Sequence, residues 1–222
     1  MDSIADIGGM HGFGTVTREP PDAPPFDQPW QKRAFGMALL SMRVSGTNLE
    51  AFRHALERLD PVQYFGEGYF GRWLHCAERL LLDSSILAPG AVEARARALR
   101  GEDVEEPGTP EPARPDYQPT AAGSTREVDH EPRFGVGDRV RARRFGTPRH
   151  SRLPRYVRGA SGTVERVQPA HVLPETHAHF EGENPEHVYK VAFSSVALWG
   201  EDAEPFTLTV DLWESYLEED AA

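Results

Sequence analysis

Nine arginines lie between residues 133 and 158, where Asp138 is the one acidic residue. A basic segment of this kind can bind nucleic acid, form ion pairs on a solvated face, or bind an anion at a subunit interface through the planar guanidinium fork. Few aromatic residues accompany these arginines, and the remainder of the chain is acidic, which weakens the nucleic-acid interpretation. Arg53 raises the same question because it directly follows Phe52 on a predicted amphipathic helix.

The sequence DIGGMHGFGTV, residues 6–16, is a second candidate for chemistry because it is rich in glycine. It lacks the Lys-Ser/Thr ending of a phosphate loop, and no strand precedes it as a dinucleotide-binding unit requires. Glycines such as Gly8 and Gly9 instead allow the backbone to turn at positive φ and to lie close against another surface.

Residues 1–29 combine these glycines with the proline-rich segment EPPDAPPFDQPW, which favours extended backbone. Such a segment is either a disordered tail or an arm that becomes ordered on a partner. Phe13, Phe26 and Trp30 are large apolar anchors that a flexible tail does not need. We therefore predict an arm docked on a partner chain through Gly8, Gly9 and these aromatic residues.

Titratable side chains cluster in one further segment, which contains His171, Glu175, His177, His179, Glu181 and His187. Zinc could bind there, but the segment lacks the ligand spacing of a structural zinc motif, so a solvated loop is preferred. Cys76 is the one cysteine and is expected to pack within a helical face rather than to react. No nucleophile–base arrangement can be identified from the spacing of the remaining residues.

Composition limits the class of protein. The 222 residues carry a formal net charge of −11, which argues against a protein that coats nucleic acid or an anionic membrane. No apolar run has the length of a membrane span, and no basic-then-apolar secretory signal is found near the start. A single cysteine forms no internal disulfide, so the expected location is the cytoplasm.

Periodicity along the chain predicts an α+β protein in four parts. An extended arm (1–29) precedes a helical domain (30–100), a proline-rich linker (101–132) and an SH3-like antiparallel β-barrel (133–222). The linker is expected to be extended and solvated unless it lies across a partner.

Within the helical domain, helices are predicted over four segments: 31–44, Thr47 to Asp60, from near Tyr69 to just before Pro89, and 91–100. Thr47 and Glu50 have the spacing of a capping box, and Asp60-Pro61 is expected to end the second helix. In the last domain, strands are predicted at 133–144, 159–167, 188–200 and 205–217, with a long loop over 168–187.

Several blocks of the sequence, in order over essentially the whole chain, resemble the β subunit of nitrile hydratase. These blocks are DIGGMHGFGTV, LEAFRHALERLDPVQY, YFGRW, FGVGDRVRAR, HSRLPRYVRGASGTV, YKVAFSSVALWG and VDLWESYL. The resemblance implies an arm wrapped on an α subunit, a helical domain and an SH3-like barrel. It also implies hydration of a small nitrile to its amide at a Co(III) or Fe(III) ion that acts as a Lewis acid. That ion is held by oxidised cysteines of the α subunit, so this chain provides no metal ligand.

The same resemblance implies roles for individual residues. Arg53 and Arg152 match two family arginines that hydrogen-bond the oxidised cysteines of the α subunit. Four residues match the substrate pocket: Leu49, Phe52, Tyr69 and Trp73. Gln31 and Gly71-Arg72 depart from the family pattern, which leaves pocket size and preferred nitrile open. The metal, the attacking nucleophile, and the choice between an αβ heterodimer and an α2β2 tetramer also stay open.

Two other functions remain as alternatives to a nitrile hydratase β subunit. One is a nucleic-acid-binding SH3-like module, which the arginine-rich segment would serve. The other is a relative of thiocyanate hydrolase or of a metallochaperone-like activator, since such proteins share parts of this sequence. Helical and barrel halves within one chain favour nitrile hydratase.

Overall fold

The structure, a computed structural model of the chain, describes residues 2–118, 120 and 123–220. The chain divides into two compact units. The helical unit contains His11–Pro119, and the sheet unit combines Met1–Met10 with Thr120–Ala222. Among the helices of the described ranges, none has both the length and the apolar character that crossing a bilayer requires.

Five helices build the helical unit: α1 (Pro29–Ser45), α2 (Leu49–Glu57), α3 (Pro61–Gly66), α4 (Gly68–Asp83) and α5 (Ala91–Leu99). α1 begins with Pro29 at its first turn, where the missing N–H costs nothing and the fixed φ suits a helix. α1, α2 and α4 share one small core, formed by Ala38, Phe52, Ala55, Cys76, Ala77 and Leu80. The prediction of a short, exposed helix near 91–100 is confirmed by α5, which has no buried residue.

The start of α2 differs from the predicted capping box. Asn48, not Thr47, is the N-cap, and its side-chain oxygen accepts a hydrogen bond from the backbone N–H of Ala51 at 2.8 Å. The Thr47 hydroxyl instead pairs with the hydroxyl of Ser45 at 2.8 Å. The sequence offered two adjacent capping residues, and the backbone conformation of Asn48 selects the second.

Two helix ends also differ from prediction. α2 ends at Glu57, and Asp60-Pro61 begins the short helix α3, because the Asp60 carboxylate accepts the Val62 N–H at 2.8 Å. α4 ends at Asp83 rather than near Pro89. Ser85 has a φ of 53°, and this left-handed residue turns the chain away from the helix axis.

The sheet unit contains six strands: β1 (Thr125–Arg126), β2 (Arg139–Ala142), β3 (Ser161–His171), β4 (Glu186–Ser194), β5 (Thr207–Trp213) and β6 (Leu217–Glu219). All strand pairs are antiparallel, in the order β5-β4-β3-β2-β6, and β1 pairs with the end of β3. Within the described residues no pairing joins β5 to β6. The antiparallel sheet is therefore confirmed, whereas closure into a barrel stays a prediction.

Three predicted strands are shorter than expected. The predicted strand 188–200 becomes β4 followed by the short helix α7 (Ser195–Trp199). The buried Ser195 hydroxyl donates to the Glu204 carbonyl and accepts the Phe206 N–H, which replaces strand pairing at this point. The segment 205–217 is β5 followed by a 3₁₀ turn (Glu214–Tyr216), and 133–144 is a strand only from Arg139.

The predicted loop and linker both contain regular structure that the sequence analysis missed. β3 continues to His171, and a short helix α6 (Pro174–His177) follows it inside the segment predicted as a loop. β1 lies within the predicted linker and pairs Thr125 with His171. Its two residues are too few to show strand periodicity.

Candidate functional site

The predicted site residues are divided between the two units. Arg53 and the four predicted pocket residues belong to the helical unit, and Arg152 belongs to the sheet unit. Each group is positioned by the elements of its own unit.

Arg53 lies in the second turn of α2, where one guanidinium nitrogen donates to the carboxylate of Glu50 at 2.5 Å. The Glu50 side chain is buried, whereas the Arg53 side chain is 38% exposed. The i,i+3 spacing on a helix brings these two residues together. Arg53 is therefore oriented by a buried carboxylate and keeps other guanidinium N–H groups toward its exposed side.

Three of the four predicted pocket residues form an aromatic cluster around Trp73. Its ring centroid lies 5.2 Å from Phe52 and 5.5 Å from Tyr69, and Phe35 packs on it at 5.4 Å. Phe52 is only 3% exposed, so it supports Trp73 from inside the core. Tyr69 is 62% exposed and Leu49 is 51% exposed, which makes these two residues the accessible members of the predicted pocket.

Arg152 lies in a segment without helix or strand, between β2 and a 3₁₀ turn (Arg155–Val157). Its backbone N–H donates to the Tyr216 hydroxyl at 3.1 Å, and that hydroxyl donates to a Glu175 carboxylate oxygen at 2.6 Å. The Arg152 side chain is half-buried. Its guanidinium has no acidic partner within the described ranges.

The rest of this segment is held by further hydrogen bonds. The Ser151 hydroxyl accepts the Leu153 N–H at 3.1 Å, and the Arg158 guanidinium donates to the Leu153 carbonyl at 3.0 and 3.3 Å. The Arg155 N–H donates to the Asp6 carboxylate, whose oxygens lie 2.9 and 3.2 Å away. A loop fixed at so many backbone atoms is preorganised, although it has no secondary structure of its own.

Burial is the main influence on the pKa values of Glu175 and Tyr216, the two groups that are hydrogen-bonded in series to the Arg152 N–H. Burial raises the pKa of Glu175 above its ordinary value of 4.5, and hydrogen bonds from Tyr216 and Ser151 oppose that rise. Burial and the neighbouring Glu175 raise the pKa of the Tyr216 hydroxyl. Tyr216 therefore stays protonated and donates its hydrogen bond across the working range of an enzyme.

Most other arginines of the segment 133–158 form ion pairs within the sheet unit. The pairs are Arg133–Glu219, Arg139–Asp220, Arg141–Asp220, Arg143–Glu218, Arg149–Glu181 and Arg158–Asp2. Their charges are largely neutralised by acids of the same chain, which favours the interpretation as structural ion pairs over a nucleic-acid face.

The N-terminal glycines lie against aromatic side chains of this same chain. A Cβ atom on Gly8 would lie 2.4 Å from a ring carbon of Tyr156, so no side chain fits there. Gly9 has a φ of 74°, and a Cβ atom there would lie 2.7 Å from the Trp199 indole nitrogen. Their predicted contact with a partner chain stays a prediction.

The predicted aromatic anchors belong to the helical unit. Phe13 stacks on Phe65 with centroids 6.2 Å apart, and Phe26 packs against Phe70 at 5.1 Å. Trp30 lies in the first turn of α1 and is 40% exposed. Phe13 is also more than half exposed, so both residues offer apolar surface that a partner could cover.

The segment 171–187, where zinc binding was weighed against a solvated loop, shows no cluster of metal-ligand side chains in the described structure. Within the described part of 171–187, no three histidine or carboxylate side chains lie close enough together to hold an ion. Cys76 is fully buried, its Sγ donates to the Phe52 carbonyl at 3.2 Å, and burial raises its thiol pKa. A thiol in this environment is unsuited to metal binding.

Sequence reasoning did not find the partners that orient the two arginines. Glu50 could have been found, since its i,i+3 spacing from Arg53 is a local signal. Tyr216 is 64 residues from Arg152, and Asp6 is 149 residues from Arg155. No periodicity or motif connects residues so far apart in the chain.

A helical half followed by an antiparallel sheet defines a two-part α+β subunit, and family models match both parts in order. "Nitrile hydratase beta subunit, N-terminal" matches residues 1–123, and "Nitrile hydratase beta subunit, C-terminal" matches residues 123–219. The chain belongs to the nitrile hydratase β-subunit family.

Individual relatives match this chain in sequence over nearly its full length. The nitrile hydratase subunit beta of Pseudomonas putida is 38% identical over 98% of this chain and 99% of its own. The cobalt-containing nitrile hydratase subunit beta of Pseudonocardia thermophila is 33% identical over 98% of this chain and 96% of its own. The thiocyanate hydrolase subunit alpha of Thiobacillus thioparus is 36% identical, but over 39% of this chain and 71% of its own.

Proposed function

We propose that this chain is the β subunit of a nitrile hydratase, which adds water to a small nitrile to form an amide at a metal ion held by its α subunit. The observation that carries the proposal is the match of both halves of the chain, in order, to the two parts of that family. The arginine-bearing segment around Arg152 agrees with the implied contacts to the α subunit.

The side chains present suit a donor of hydrogen bonds to the metal centre rather than a metal ligand. The buried, hydrogen-bonded thiol of Cys76 does not fit a thiolate ligand set. Arg152 carries a guanidinium without an acidic partner in the described residues, and Arg53 has N–H groups beyond the one that binds Glu50. Oxidised cysteine ligands are anionic, and guanidinium donors stabilise such anions when they are removed from water. When bound in the α subunit, the metal supplies Lewis-acid chemistry.

The exposed aromatic face of the helical unit is the proposed wall of the substrate pocket. Tyr69 and Leu49 offer accessible surface, and Trp73 is fixed behind Tyr69 by Phe52. In this proposal Leu49 and Trp73 supply apolar surface for the nitrile, and Phe52 supports that apolar wall from the core. The Tyr69 hydroxyl makes a polar contact toward the α subunit. Apolar walls with few polar groups are typical of small-molecule sites.

The proposed assembly is an αβ heterodimer that doubles to α2β2, with the N-terminal arm laid on the α subunit. Two of the relatives are named as cobalt-containing, which favours cobalt over iron. Metal analysis and the molecular mass of the purified complex test these two points. The cytoplasmic location stays a prediction from composition.

The sheet unit is proposed to be an SH3-like barrel. β2 to β6 contribute side chains to one core, which includes Val140, Val164, Val191, Leu212 and Leu217. The last strand pairs beside the first of these five, and a 3₁₀ turn connects β5 to β6. A core shared by five strands of one sheet supports a barrel.

The direct test is co-expression with a nitrile hydratase α subunit, followed by an assay of amide formation from acetonitrile. We expect activity and stoichiometric metal in the complex, and neither in this chain alone. A complex that binds metal but forms no amide from any small nitrile would refute the proposed activity.

The arginine roles are tested by Arg53→Lys and Arg152→Lys in the complex. Lysine keeps the charge but loses the planar fork, so we expect kcat to fall about 10- to 100-fold, as for other groups that orient metal ligands. The matched controls are Arg97→Lys and Arg139→Lys, which change exposed, ion-paired arginines of each unit and should keep full activity. Unchanged kcat in both test variants would remove the proposed contacts.

The partial match to a thiocyanate hydrolase subunit supports one alternative substrate. Assaying the same complex with thiocyanate decides between the two. We expect hydration of the nitrile and no hydrolysis of thiocyanate, because both halves of this chain match the nitrile hydratase family.

A further inference from the structure

We propose that Tyr216 and Glu175 are positioning residues, which fix the main chain at Arg152 so that its guanidinium meets the α subunit in one orientation. This inference rests on the proposed function, since it needs Arg152 to contact the metal centre's ligands. It adds two residues to the site that have no contact with substrate or metal in the proposal.

The geometry is a relay of two hydrogen bonds. The Arg152 N–H donates to the Tyr216 hydroxyl at 3.1 Å, and the Tyr216 hydroxyl donates to Glu175 Oε2 at 2.6 Å. Tyr216 is 1% exposed, and the neighbouring Ser151 is fully buried. Water cannot readily replace either bond, so the position of the Arg152 nitrogen depends on these two side chains.

The carboxylate makes the relay stronger than a tyrosine alone would. A hydroxyl that donates to a charged acceptor becomes a better acceptor itself, because successive hydrogen bonds polarise one another in a low-dielectric interior. Glu175 is therefore expected to strengthen the hydrogen bond between the Tyr216 hydroxyl and the Arg152 N–H, although it does not contact Arg152 itself. This is the reason for a carboxylate whose Oε1 is removed from solvent, where its ionisation is costly.

Arg152 has particular need of such support. No helix or strand of the described structure includes it, so no ladder of backbone bonds fixes its φ and ψ. The loop is held on the other side by the bond from the Arg155 N–H to Asp6. Between these two attachments the main chain at Arg152 has one orientation, and a small rotation there would move the end of a long side chain by several times as much.

The same unit contains a matched control. Tyr189 is also fully buried, donates its hydroxyl hydrogen bond to Glu214 and accepts the Phe134 N–H at 3.4 Å. Tyr189→Phe thus removes an equivalent hydroxyl from an equivalent tyrosine–glutamate pair in the same core. The difference is the backbone group that loses its acceptor, Phe134 in one case and Arg152 in the other.

The experiment compares Tyr216→Phe, Tyr189→Phe and Glu175→Gln in the complex with the α subunit. Amide hydrogen exchange is measured over residues 150–155, and kcat and KM are measured with acetonitrile. We expect Tyr216→Phe to speed exchange at Arg152 about tenfold or more, as for a lost buried hydrogen bond. We also expect kcat to fall about tenfold with little change in KM. Tyr189→Phe should change neither quantity at this loop.

Glu175→Gln keeps an acceptor for Tyr216 but removes the charge, so its effects should lie between wild type and Tyr216→Phe. If the Tyr216→Phe variant does not assemble with the α subunit, the Glu175→Gln variant still tests the positioning role. A double variant, Tyr216→Phe with Arg152→Lys, should be hardly slower than Arg152→Lys alone, because residues that act through one group are not additive.

The two readouts separate this inference from the proposed function. Unchanged exchange at Arg152 in Tyr216→Phe and Glu175→Gln, or an equal fall in kcat in Tyr189→Phe, would overturn the positioning role. Full activity of Arg152→Lys would instead overturn the proposed contact of Arg152, whatever the exchange measurement gives.

Discussion

Glu175 is a half-buried residue whose carboxylate oxygen Oε1 is removed from solvent. The groups that face it are the Tyr216 and Ser151 hydroxyls and the buried His150, and burial is the largest influence on its pKa, which is raised. A carboxyl with a raised pKa in the folded state holds its proton to higher pH than it does in the unfolded chain. Its ionisation therefore opposes folding.

We expect the free energy of unfolding to fall as pH rises from 4.5 through the raised pKa of Glu175. Below 4.5 the group is protonated in both states and contributes no pH dependence. Urea titrations of the complex at a series of pH values measure this slope, and Glu175→Gln is the comparison because glutamine does not titrate. Equal slopes for the two proteins would contradict the raised pKa.

The contact between β3 and β4 leaves no room for a side chain at Gly162. A Cβ atom there would lie 2.6 Å from Val191 Cγ1 and 2.7 Å from the Ala192 carbonyl oxygen. We expect Gly162→Ala to lower the free energy of unfolding by about 1–3 kcal/mol, as overpacking does. Gly135→Ala is the control, since its nearest neighbour would lie 3.7 Å away. Urea unfolding of both variants measures the difference in stability. Equal stability would show that β4 shifts to accommodate the added methyl group without cost.

The N-cap of α2 gives a second test at the level of one element. Asn48→Ala leaves the Ala51 N–H without its acceptor, so we expect a loss of about 1 kcal/mol in the free energy of unfolding. Thr47→Ala removes only the hydroxyl pair with Ser45 and should cost less. A larger loss of stability for Thr47→Ala than for Asn48→Ala, in thermal or urea unfolding, would support the predicted capping box instead.

The elements differ in how far the sequence could predict them. Hydrophobic periodicity is local, so α1, α2, α4 and the four main strands were expected near their observed positions. Their ends were less predictable because they depend on single events, such as the left-handed Ser85 or the paired hydroxyl of Ser195. The arginines of the site were expected from resemblance, whereas Tyr216 and Glu175 depend on contacts between distant parts of the chain.

At the scale of the whole molecule, the sheet unit is built from two separate pieces of the chain. Asp6, from the first piece, is buried and accepts the backbone N–H of Arg155 in the second. We expect Asp6→Ala to lower the free energy of unfolding of the sheet unit by about 1–3 kcal/mol, because the Arg155 N–H loses its charged acceptor and the Arg158 guanidinium loses an ion-pair partner. Asp22→Ala, an exposed change in the same arm, is the control. Equal unfolding curves would show that the attachment contributes nothing.

The bond between Asp6 and Arg155 also has a consequence for biosynthesis. The two residues are 149 positions apart, so Asp6 leaves the ribosome long before Arg155, its hydrogen-bond donor, has been translated. The helical unit lies between them in sequence and has its own core. It can therefore fold before the first ten residues join the sheet unit. Closing the sheet unit is then a late, non-local step, and such steps are slow. An α subunit that binds during this interval would meet a nascent β chain whose amino terminus is still unattached.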